Sequence, residues 1–524
     1  MNILKHLKLG GENLLNCLNP EKNYLPYWHM AVDKNQIAEY SFRPFCTGHN
    51  VGRWWHTMLS LEQCCGFKIP GKIESTMLKN VRRLSDNPTG IFLEATDKKN
   101  IDSWYIHSYR ETLLALALLY KFRGLDSARK QGLLALGQMK KACSNPRIWD
   151  LALCSPLLSK EKLKIKGLPV YTHGRAIEGL LCFYEATGEK AALNEACRLA
   201  DFHFKNTVNS DGSLAAGCGH HTHSYLNTLR GLLRLAGLKK NKNQLNIIRA
   251  TYRAAIAKMI TGSGFVTHNI RDKKGASGGD PASAGDIAHI ALMLFEHYKE
   301  PGLLDDVERI VRCRLIPAQV CVPMPTKPGT GKQGDCVRNL PRRFIGAIGG
   351  SVGHVKGQTC VTDFTAAALH CLIEIYQRTV ETTQDAIRVN FHFDYKMAGL
   401  RVKSLRSKRK SCVTVQNNTG KDLYIRIPGW VPKATLRLSV NNKPVKITIR
   451  EGFAFIKASG GKLRAKLCFS LPRYKTKEKW RDNFKTQAFA VFHWRGDEIF
   501  KVDPVGKYLK PFPKVCNSFW LDKF

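Results

Sequence analysis

A cysteine stands just ahead of a predicted helix in the segment GHVKGQTCVTDFTAAALH, residues 353–370. Thr362 and Asp363 precede an alanine-rich run, a pattern that is typical of a helix N-terminus. The partial positive charge at a helix start stabilises a thiolate, so Cys360 is a candidate nucleophile. A buried structural cysteine is the alternative, because thiols commonly pack as small hydrophobic groups.

Carboxylates at predicted helix starts offer a second kind of chemistry. Asp280, Asp286 and Asp363 each stand close to the start of an apolar, helix-forming run. Glycosidases use a pair of carboxylic acids, one to protonate the leaving group and one as base or nucleophile. Capping of the helix N-terminus is the structural alternative for each aspartate.

Polar and aromatic side chains recur at the openings of the predicted helices. If one end of each inner helix faces a common mouth, these side chains converge there, and sugar sites combine aromatic faces with convergent hydrogen-bonding groups. The predicted substrate-binding residues are His49, Arg53, Trp54, Trp55, His107, Tyr109, Arg110, His173, Arg175, His221, His223, Asn227 and Asp286. The His-x-His pair alone does not define a metal site, because further ligands at fixed spacing are missing.

Recurring helices must position these side chains. The segment HSYRETLLALALLYKFRG has apolar residues at helical spacing and stops at Gly124, and similar stretches stop at Gly66, Gly188 and Gly237. Most are followed by a second amphipathic stretch, so we count about six helix hairpins between residues 48 and 380. Hairpin repeats form either an open solenoid or a closed toroid, and the polar helix openings favour the toroid.

The pattern changes from about residue 385. The segments SCVTVQNNTGKDLYIRIPGW and KLRAKLCFSL alternate apolar and polar residues and are punctuated by Asn, Gly and Pro, which predicts a β-sandwich. We therefore predict two domains, a helical toroid that carries the site over residues 1–384 and a β-sandwich domain over residues 385–524.

The charge of the chain is unusual. Its 524 residues include 82 Lys plus Arg against 42 Asp plus Glu, a net charge of +40, which suggests a nucleic acid, an anionic lipid surface or a polyanionic glycan as partner. No specific nucleic-acid motif and no apolar run of membrane-spanning length is recognisable. With no secretion signal recognised, we expect a cytoplasmic protein whose 17 cysteines are mostly free. The oligomeric state is not indicated.

Several segments resemble the β-L-arabinofuranosidase family, glycoside hydrolase family 127, and its uncharacterised relatives. The resemblance covers most of the chain and is carried by GHNVGRWWHTML, HTHSYLNTLRGLLRLAG, SAGDIAHIALMLFEHYKEPGLLDDVERIVRCRL and IRIPGWVPKATLRLSVNNKPV. It implies an (α/α)6 toroid of helix hairpins followed by a C-terminal β-sandwich. It also implies hydrolysis of a glycosidic bond with retention of configuration.

The zinc-dependent site of that family is altered in this chain. The resemblance places the family's nucleophilic cysteine at Cys360 and a zinc-binding glutamate at Asp280, but two thiolate ligands fall on Ala282 and Val361. A closed zinc site needs its full set of donors, so we expect no metal and no other cofactor. The family's acid/base glutamate should lie shortly before Asp280, where this chain has no glutamate and His268 and Asp272 are the titratable residues of suitable type.

We therefore expect an enzyme, a metal-independent glycoside hydrolase that acts on oligosaccharides and is similar to the arabinofuranosidases. The charge suggests anionic glycans as one class of substrate. The predicted catalytic residues are Cys360, Asp280, His268 and Asp363. A polysaccharide lyase or sugar epimerase on the same toroid, and a carbohydrate-binding pseudoenzyme, are alternatives that the sequence leaves open.

Overall fold

The fold is described from a computed structural model. It describes residues 1–32, 37–42, 47–87, 89–94, 101–150, 162–164, 173–271, 276–277, 281–323, 326–349, 359–458, 461–482 and 486–503. Only the backbone is described for residues 29–32, 101–107, 148–150, 162–164, 276–277, 359–361, 480–482 and 486–488.

Helices dominate the first part of the chain. The α-helices are α1 Ile3–Asn16, α2 Thr47–Cys65, α3 Gly71–Ser85, α4 Ile101–Arg123, α5 Asp126–Ala142, α6 Arg175–Thr187, α7 Lys190–Asn206, α8 Thr222–Leu238, α9 Lys242–Thr251, α10 Ala257–Met259, α11 Pro281–Tyr298, α12 Pro301–Ile310, α13 Leu340–Arg343 and α14 Thr362–Gln377. Within the described residues, none of these helices is long and apolar enough to cross a membrane.

Six inner helices form a closed ring. Helices α2, α4, α6, α8, α11 and α14 contact one another in that order, and α14 returns to α2. The described parts of these helices are buried over most of their length, whereas α3, α5, α7, α9 and α12 pack outside as the second helix of each hairpin. The N-terminal helix α1 packs outside α14 and completes the sixth pair. The predicted toroid is confirmed.

Glycines let the inner helices approach closely. A β-carbon added at Gly52 of α2 would lie 2.6 Å from the carbonyl oxygen of Glu111 on α4. One added at Gly179 of α6 would lie 2.9 Å from the carbonyl oxygen of Arg110, also on α4. Because real β-carbons do not approach backbone atoms so closely, these positions hold α4 against both of its neighbours.

The strands lie both among the helices and in the strand-rich region that follows the last helix. They are β1 Leu18–Asn19, β2 Leu25–Pro26, β3 His29–Val32, β4 Ile37–Ser41, β5 Ile148–Asp150, β6 Lys162–Lys164, β7 Ala276–Ser277, β8 Lys327–Pro328, β9 Thr359–Val361, β10 Val380–Thr382, β11 Ala386–Val389, β12 Tyr395–Met397, β13 Leu400–Arg406, β14 Lys410–Asn417, β15 Asp422–Arg426, β16 Arg437–Val440, β17 Lys443–Val445, β18 Thr448–Arg450, β19 Phe453–Ile456, β20 Leu463–Ser470, β21 Arg473–Asp482, β22 Thr486–Arg495 and β23 Glu498–Asp503.

Two sheets share one apolar core after the helices end. One has the strand order β10-β11-β15-β19-β18 and the other the order β12-β13-β14-β20-β16-β17. Ile387 and Leu423 of the first sheet belong to the same buried cluster as Val413 and Leu467 of the second, so the sheets pack face to face as the predicted sandwich. The division at residue 384 stays a prediction. The last helix ends at Gln377 and the first sandwich strand begins at Val380.

The last described strands do not join that sandwich. Strands β21, β22 and β23 form a separate sheet with β7, which comes from the helical part of the chain. Its apolar face packs Phe492 and Trp494 against Phe265 and Cys313. The sequence pattern predicts strands here but not their partner, because pairing with residues 276–277 spans about two hundred residues of sequence.

One disulfide lies in the sandwich. Cys412 of β14 and Cys468 of β20 are directly opposite each other in the antiparallel pair and are bonded. Eleven other cysteines in the described part of the chain form no disulfide. This bond is not indicated by the sequence pattern, because a pair of cysteines 56 residues apart carries no register information by itself.

Candidate active site

A buried network of charged side chains fills the axis of the ring. We call it the axial network, and every inner helix contributes to it. Its carboxylates balance its arginines four to four, and all members are buried. The members are Arg53, Arg110, Arg175, Arg230, Glu111, Glu178, Asp286, Asp363, His49, His223 and Asn227.

Asp363 joins the last inner helix to the first. Its Oδ1 lies 2.5 Å from Arg53 Nε and 2.7 Å from His49 Nε2, both on α2. Glu111 of α4 lies 3.4 Å from each of the same two residues, measured to His49 Nδ1 and Arg53 Nη2. Helices α14, α2 and α4 are therefore connected through their polar groups, although most of their surface is apolar.

Asp286 connects α11 with α8. Arg53 donates to His223 Nε2 at 3.0 Å, which leaves the Nδ1–H of His223 to donate to Asp286 at 2.6 Å. Asn227 donates to the same carboxylate oxygen at 3.1 Å, and Arg230 donates to the other oxygen at 2.8 Å. Both carboxylate oxygens of Asp286 accept hydrogen bonds from side chains of α8. Asp286 lies inside α11 and does not cap its N-terminus.

Glu178 of α6 connects α4 with α8. It accepts hydrogen bonds from Nε and Nη2 of Arg110 at 2.8 and 2.6 Å and from Arg230 at 2.5 Å. Arg110 also donates to Glu111 at 2.8 Å, and Arg175 donates to the same oxygen at 2.8 Å. The pairs connect all six inner helices in one continuous network.

The electrostatics keep these carboxyl groups ionised. Burial raises the pKa of Asp363, but Arg53 and His49 outweigh it and the pKa falls below its usual range. The pKa of Glu178 and of Asp286 is also lowered, because their arginine partners, with His223 beside Asp286, outweigh burial in the same way. A glycosidase acid needs a carboxyl group with a raised pKa. The network carboxylates are therefore suited to hold cations in place rather than to donate protons.

Three histidines lie at one end of this axis. We call His221, His223 and His268 the histidine trio. The ring of His221 lies 5.1 Å from that of His268 and 6.2 Å from that of His223, and the trio runs from an exposed His268 to a buried His223. Burial, reinforced by the neighbouring imidazoles, lowers the pKa of His221 and His268, so both rings are neutral at pH 7. Neutral imidazoles can both donate to and accept from sugar hydroxyls.

The backbone of the candidate nucleophile lies close to the network. Cys360 is in β9, where it pairs with Met30 of β3, and α14 begins two residues later. Asp363 follows within one turn, so the Cys360 backbone stands near the α14 end of the axial network. The Cys360 side chain and all of Asp280 lie outside the described part of the structure. Helix α11 begins at Pro281, so Asp280 directly precedes a helix as predicted.

Some predicted substrate-binding residues lie elsewhere. Trp54 donates to the carbonyl of Leu14 on α1 at 3.1 Å, away from the axis, and Trp55 packs edge-on against it in the core. His173 bonds to the carbonyl of Pro146 and to His203 on the outer helix α7. These positions differ from the predicted mouth because an inner helix is buried on every side, and sequence position fixes the end of a helix but not the face.

Two further predicted residues complete the comparison. Tyr109 is wholly buried in the main apolar core, next to Arg110 in the chain. The His107 side chain lies outside the described residues. The predicted residues that the structure brings into the network or the trio are His49, Arg53, Arg110, Arg175, His221, His223, His268, Asn227, Asp286 and Asp363.

Three members of the network were not anticipated. Glu111, Glu178 and Arg230 lie in the segments RETLLALALL, RAIEGLLCF and NTLRGLLRLAG, which are mostly apolar. A charge within a helix that is apolar all round must be paired, because an isolated buried charge is costly. A charged residue within such an apolar helical segment is therefore the sequence feature that could have identified these three residues.

The residues do not fit the zinc site of the resembled family. Ala282 is fully buried in the first turn of α11 and carries only a methyl group, and Val361 has no donor atom either. Two of the required thiolates are therefore replaced by groups that cannot bind a metal. We derive no step through zinc.

Comparison with known proteins shows the fold. No protein-family profile and no curated protein matches the chain. A solved GH127 β-L-arabinofuranosidase from Geobacillus stearothermophilus T6 aligns with a TM-score of 0.56 and 14% identity, over 86% of this chain and 76% of that one. A structure described as a glycoside hydrolase aligns with a TM-score of 0.54 and 10% identity, over 92% and 84%. The chain therefore shares the architecture that the resemblance implies.

Proposed function

We propose that this chain is a glycoside hydrolase that acts on oligosaccharides at the end of the axis where the histidine trio lies. One observation carries the proposal. Every inner helix sends charged or polar side chains to one axis, and that network leads through His223 to an exposed histidine. The shared fold with a structure described as a β-L-arabinofuranosidase supports an arabinofuranosidase-like substrate.

The chemistry that we propose is a double displacement without a metal. The Cys360 thiolate attacks the anomeric carbon, the glycosidic oxygen leaves as it takes a proton from an acid, and water then releases the sugar from the thioglycoside. His268 or Asp280 supplies and recovers that proton. The second displacement restores the starting configuration, which gives retention.

The other residues orient the sugar and the nucleophile. We assign hydrogen bonding to sugar hydroxyls to His221, whose neutral ring offers a donor and an acceptor. His223 is a positioning residue, because its two ring nitrogens are held by Arg53 and Asp286. Asp363 is a positioning residue in this proposal. Its carboxylate is held by Arg53 and His49, and its lowered pKa makes it a poor proton donor at neutral pH.

A panel of nitrophenyl glycosides tests this function. The wild-type chain should release nitrophenol from at least one arabinofuranoside, and Cys360→Ala should abolish turnover without changing the circular dichroism. Cys360→Ser should also be nearly inactive, since a serine hydroxyl lacks a comparable anion. Cys336→Ala, which alters a partly exposed thiol in a separate small cluster, is the matched control and should keep full activity. Normal turnover by Cys360→Ala would contradict a mechanism in which Cys360 is the nucleophile.

A polysaccharide lyase or epimerase is the second candidate, and the histidine trio favours it. Within the described residues, the network carboxylates are held ionised by arginines, whereas the imidazole of His268 can act as a base. A lyase produces an unsaturated sugar, so ultraviolet absorbance after incubation with polyuronates separates the two reactions. Sugar binding without an unsaturated, hydrolysed or epimerised product would indicate a pseudoenzyme.

We also propose a cytoplasmic location and independence from metals. The eleven free cysteines support a reducing compartment. The bonded pair of Cys412 and Cys468 argues for an oxidising one. Trapping of thiols in intact cells, followed by mass spectrometry of that pair, decides between them. A fully bonded pair would contradict the cytoplasmic location.

A further inference from the structure

The outward face of the six-stranded sandwich sheet is strongly basic. Its strands contain nine lysines and arginines and no aspartate or glutamate. Strand alternation turns seven of these to solvent, namely Lys410 and six others. We call the surface that the six others form the basic face; its cations are Lys396, Arg401, Lys403, Arg437, Arg464 and Lys466.

The register arranges these cations as a lattice. Arg401 and Arg464 flank Gln416 on either side, and Lys403 and Lys466 flank Thr414 in the next row. The cations are therefore spaced by about 10 Å across the strands and about 7 Å along them. Such a regular array matches a linear polymer that carries repeated negative charges.

No carboxylate within the described residues forms an ion pair with any of the six cations. Elsewhere on the surface, arginines such as Arg83 and Arg123 pair with glutamates. Lys396 and Arg401 even lie directly opposite each other, and like charges in that position destabilise a sheet. A bound polyanion would remove this repulsion, so the unpaired cluster points to a ligand.

A recess extends from one edge of this lattice. It has a volume of about 480 Å³ and lies where the sandwich meets the ends of α1 and α14. Lys396, Arg401 and Lys403 line it together with Tyr376 and Tyr395, whose ring centres lie 5.3 Å apart. Asp394 is the one acidic side chain among the described residues that line it. Aromatic rings beside cations suit a sugar ring that carries an anionic group.

We propose that the basic face and its recess bind an anionic polysaccharide. Single-stranded nucleic acids need a row of aromatic stacking platforms, whereas the six lattice strands place one aromatic ring beside the lattice, that of Tyr395 at its edge. Duplex grooves admit a helix or a two-stranded ribbon, and a broad sheet face enters neither groove. A bilayer favours clustered apolar side chains, and this face exposes Leu405.

Binding of the intact chain to heparin tests the proposal, with polygalacturonate to separate sulfate from carboxylate recognition and dextran as the neutral control. The test variant combines Arg401→Gln, Lys403→Gln, Arg464→Gln and Lys466→Gln. The matched control removes the same charge from the helical domain, through four exposed lysines without ion pairs among the described residues. These are Lys72→Gln, Lys79→Gln, Lys140→Gln and Lys239→Gln.

We expect the test variant to bind at least one anionic polysaccharide about 80-fold more weakly, at roughly threefold for each exposed cation. The control variant should bind within threefold of wild type, and dextran should not bind. Equal loss in both variants would overturn the proposal, because binding would then follow net charge alone. Tighter binding to an oligonucleotide or to phosphatidylserine vesicles, lost in the test variant, would also overturn it. Binding is measured without turnover, so its failure is distinct from failure of the proposed hydrolase.

Discussion

Replacement of Glu178 by glutamine removes one negative charge from the middle of the axial network. The carboxylate is buried and accepts hydrogen bonds from Arg110 and Arg230. With glutamine, two buried guanidinium groups would share less negative charge. Removing one partner of a buried pair costs about 3–5 kcal/mol, so we expect the free energy of unfolding to fall by about that amount.

Denaturation in urea, followed by circular dichroism, measures this loss, and the same helix supplies the control. Glu185 pairs with Arg234 on α8, but its side chain is 39% exposed. Glu185→Gln should therefore cost at most about 1 kcal/mol, as exposed pairs do. A loss below about 1 kcal/mol in Glu178→Gln would refute the idea that the network is a tightly balanced buried unit.

The effect should depend on pH. The arginines lower the pKa of Glu178 although burial alone would raise it. A lowered pKa gives stability that is present above the unfolded value of about 4.3 and lost as the pH falls through the folded value. The difference in stability between wild type and Glu178→Gln should therefore be full at pH 7 and shrink below about pH 4. A constant difference over that range would show that packing, and not charge, is lost.

Three further outcomes follow from the site. If His268 is the acid, kcat/KM should rise as the pH falls below about 6.5, and His268→Asn should remove that rise; an unchanged profile excludes this role. A chelator should leave activity intact, and elemental analysis should find far less than one zinc per chain; a stoichiometric zinc lost together with activity would contradict the ligand assignment. Trp54→Phe should lose about 1 kcal/mol of stability, because the hydrogen bond to Leu14 is lost, and should leave KM unchanged. A raised KM would show that the Trp54 indole contacts the sugar.

The sequence predicts the helical ring well because the signal is periodic and repeated. Helical spacing indicates all six inner helices, and a glycine stop lies near the end of four of them. Helix α1 escapes detection because its apolar residues alternate with lysines and glycines, and its partner α14 lies about 350 residues further on. The adjacent residues Arg53 and Trp54 show the limit at the site. One turns to the axis and the other to α1, and only the packing of neighbouring helices decides which.

Non-local pairing accounts for the other differences. Nothing near β21 indicates that its parallel neighbour is β7, and nothing near Cys412 indicates Cys468. Glu178 is placed opposite two arginines from two other helices, which no local pattern contains. Such contacts depend on the closed ring, and the ring is a property of the whole helical domain.

The sixth pair of helices has a consequence for how the chain folds. Because α1 packs on α14, which is synthesised about 350 residues later, α1 cannot take up its final position until α14 has been made. Until then Arg53 and His49 lack Asp363, so Glu111 is the one of these two carboxylates that they contact, and water takes the place of the other. Ring closure must strip that water in one late step, and we expect this step to limit the folding rate. Slow closure would leave an open, crescent-shaped intermediate with its apolar inner faces exposed to chaperones and to other unfinished chains.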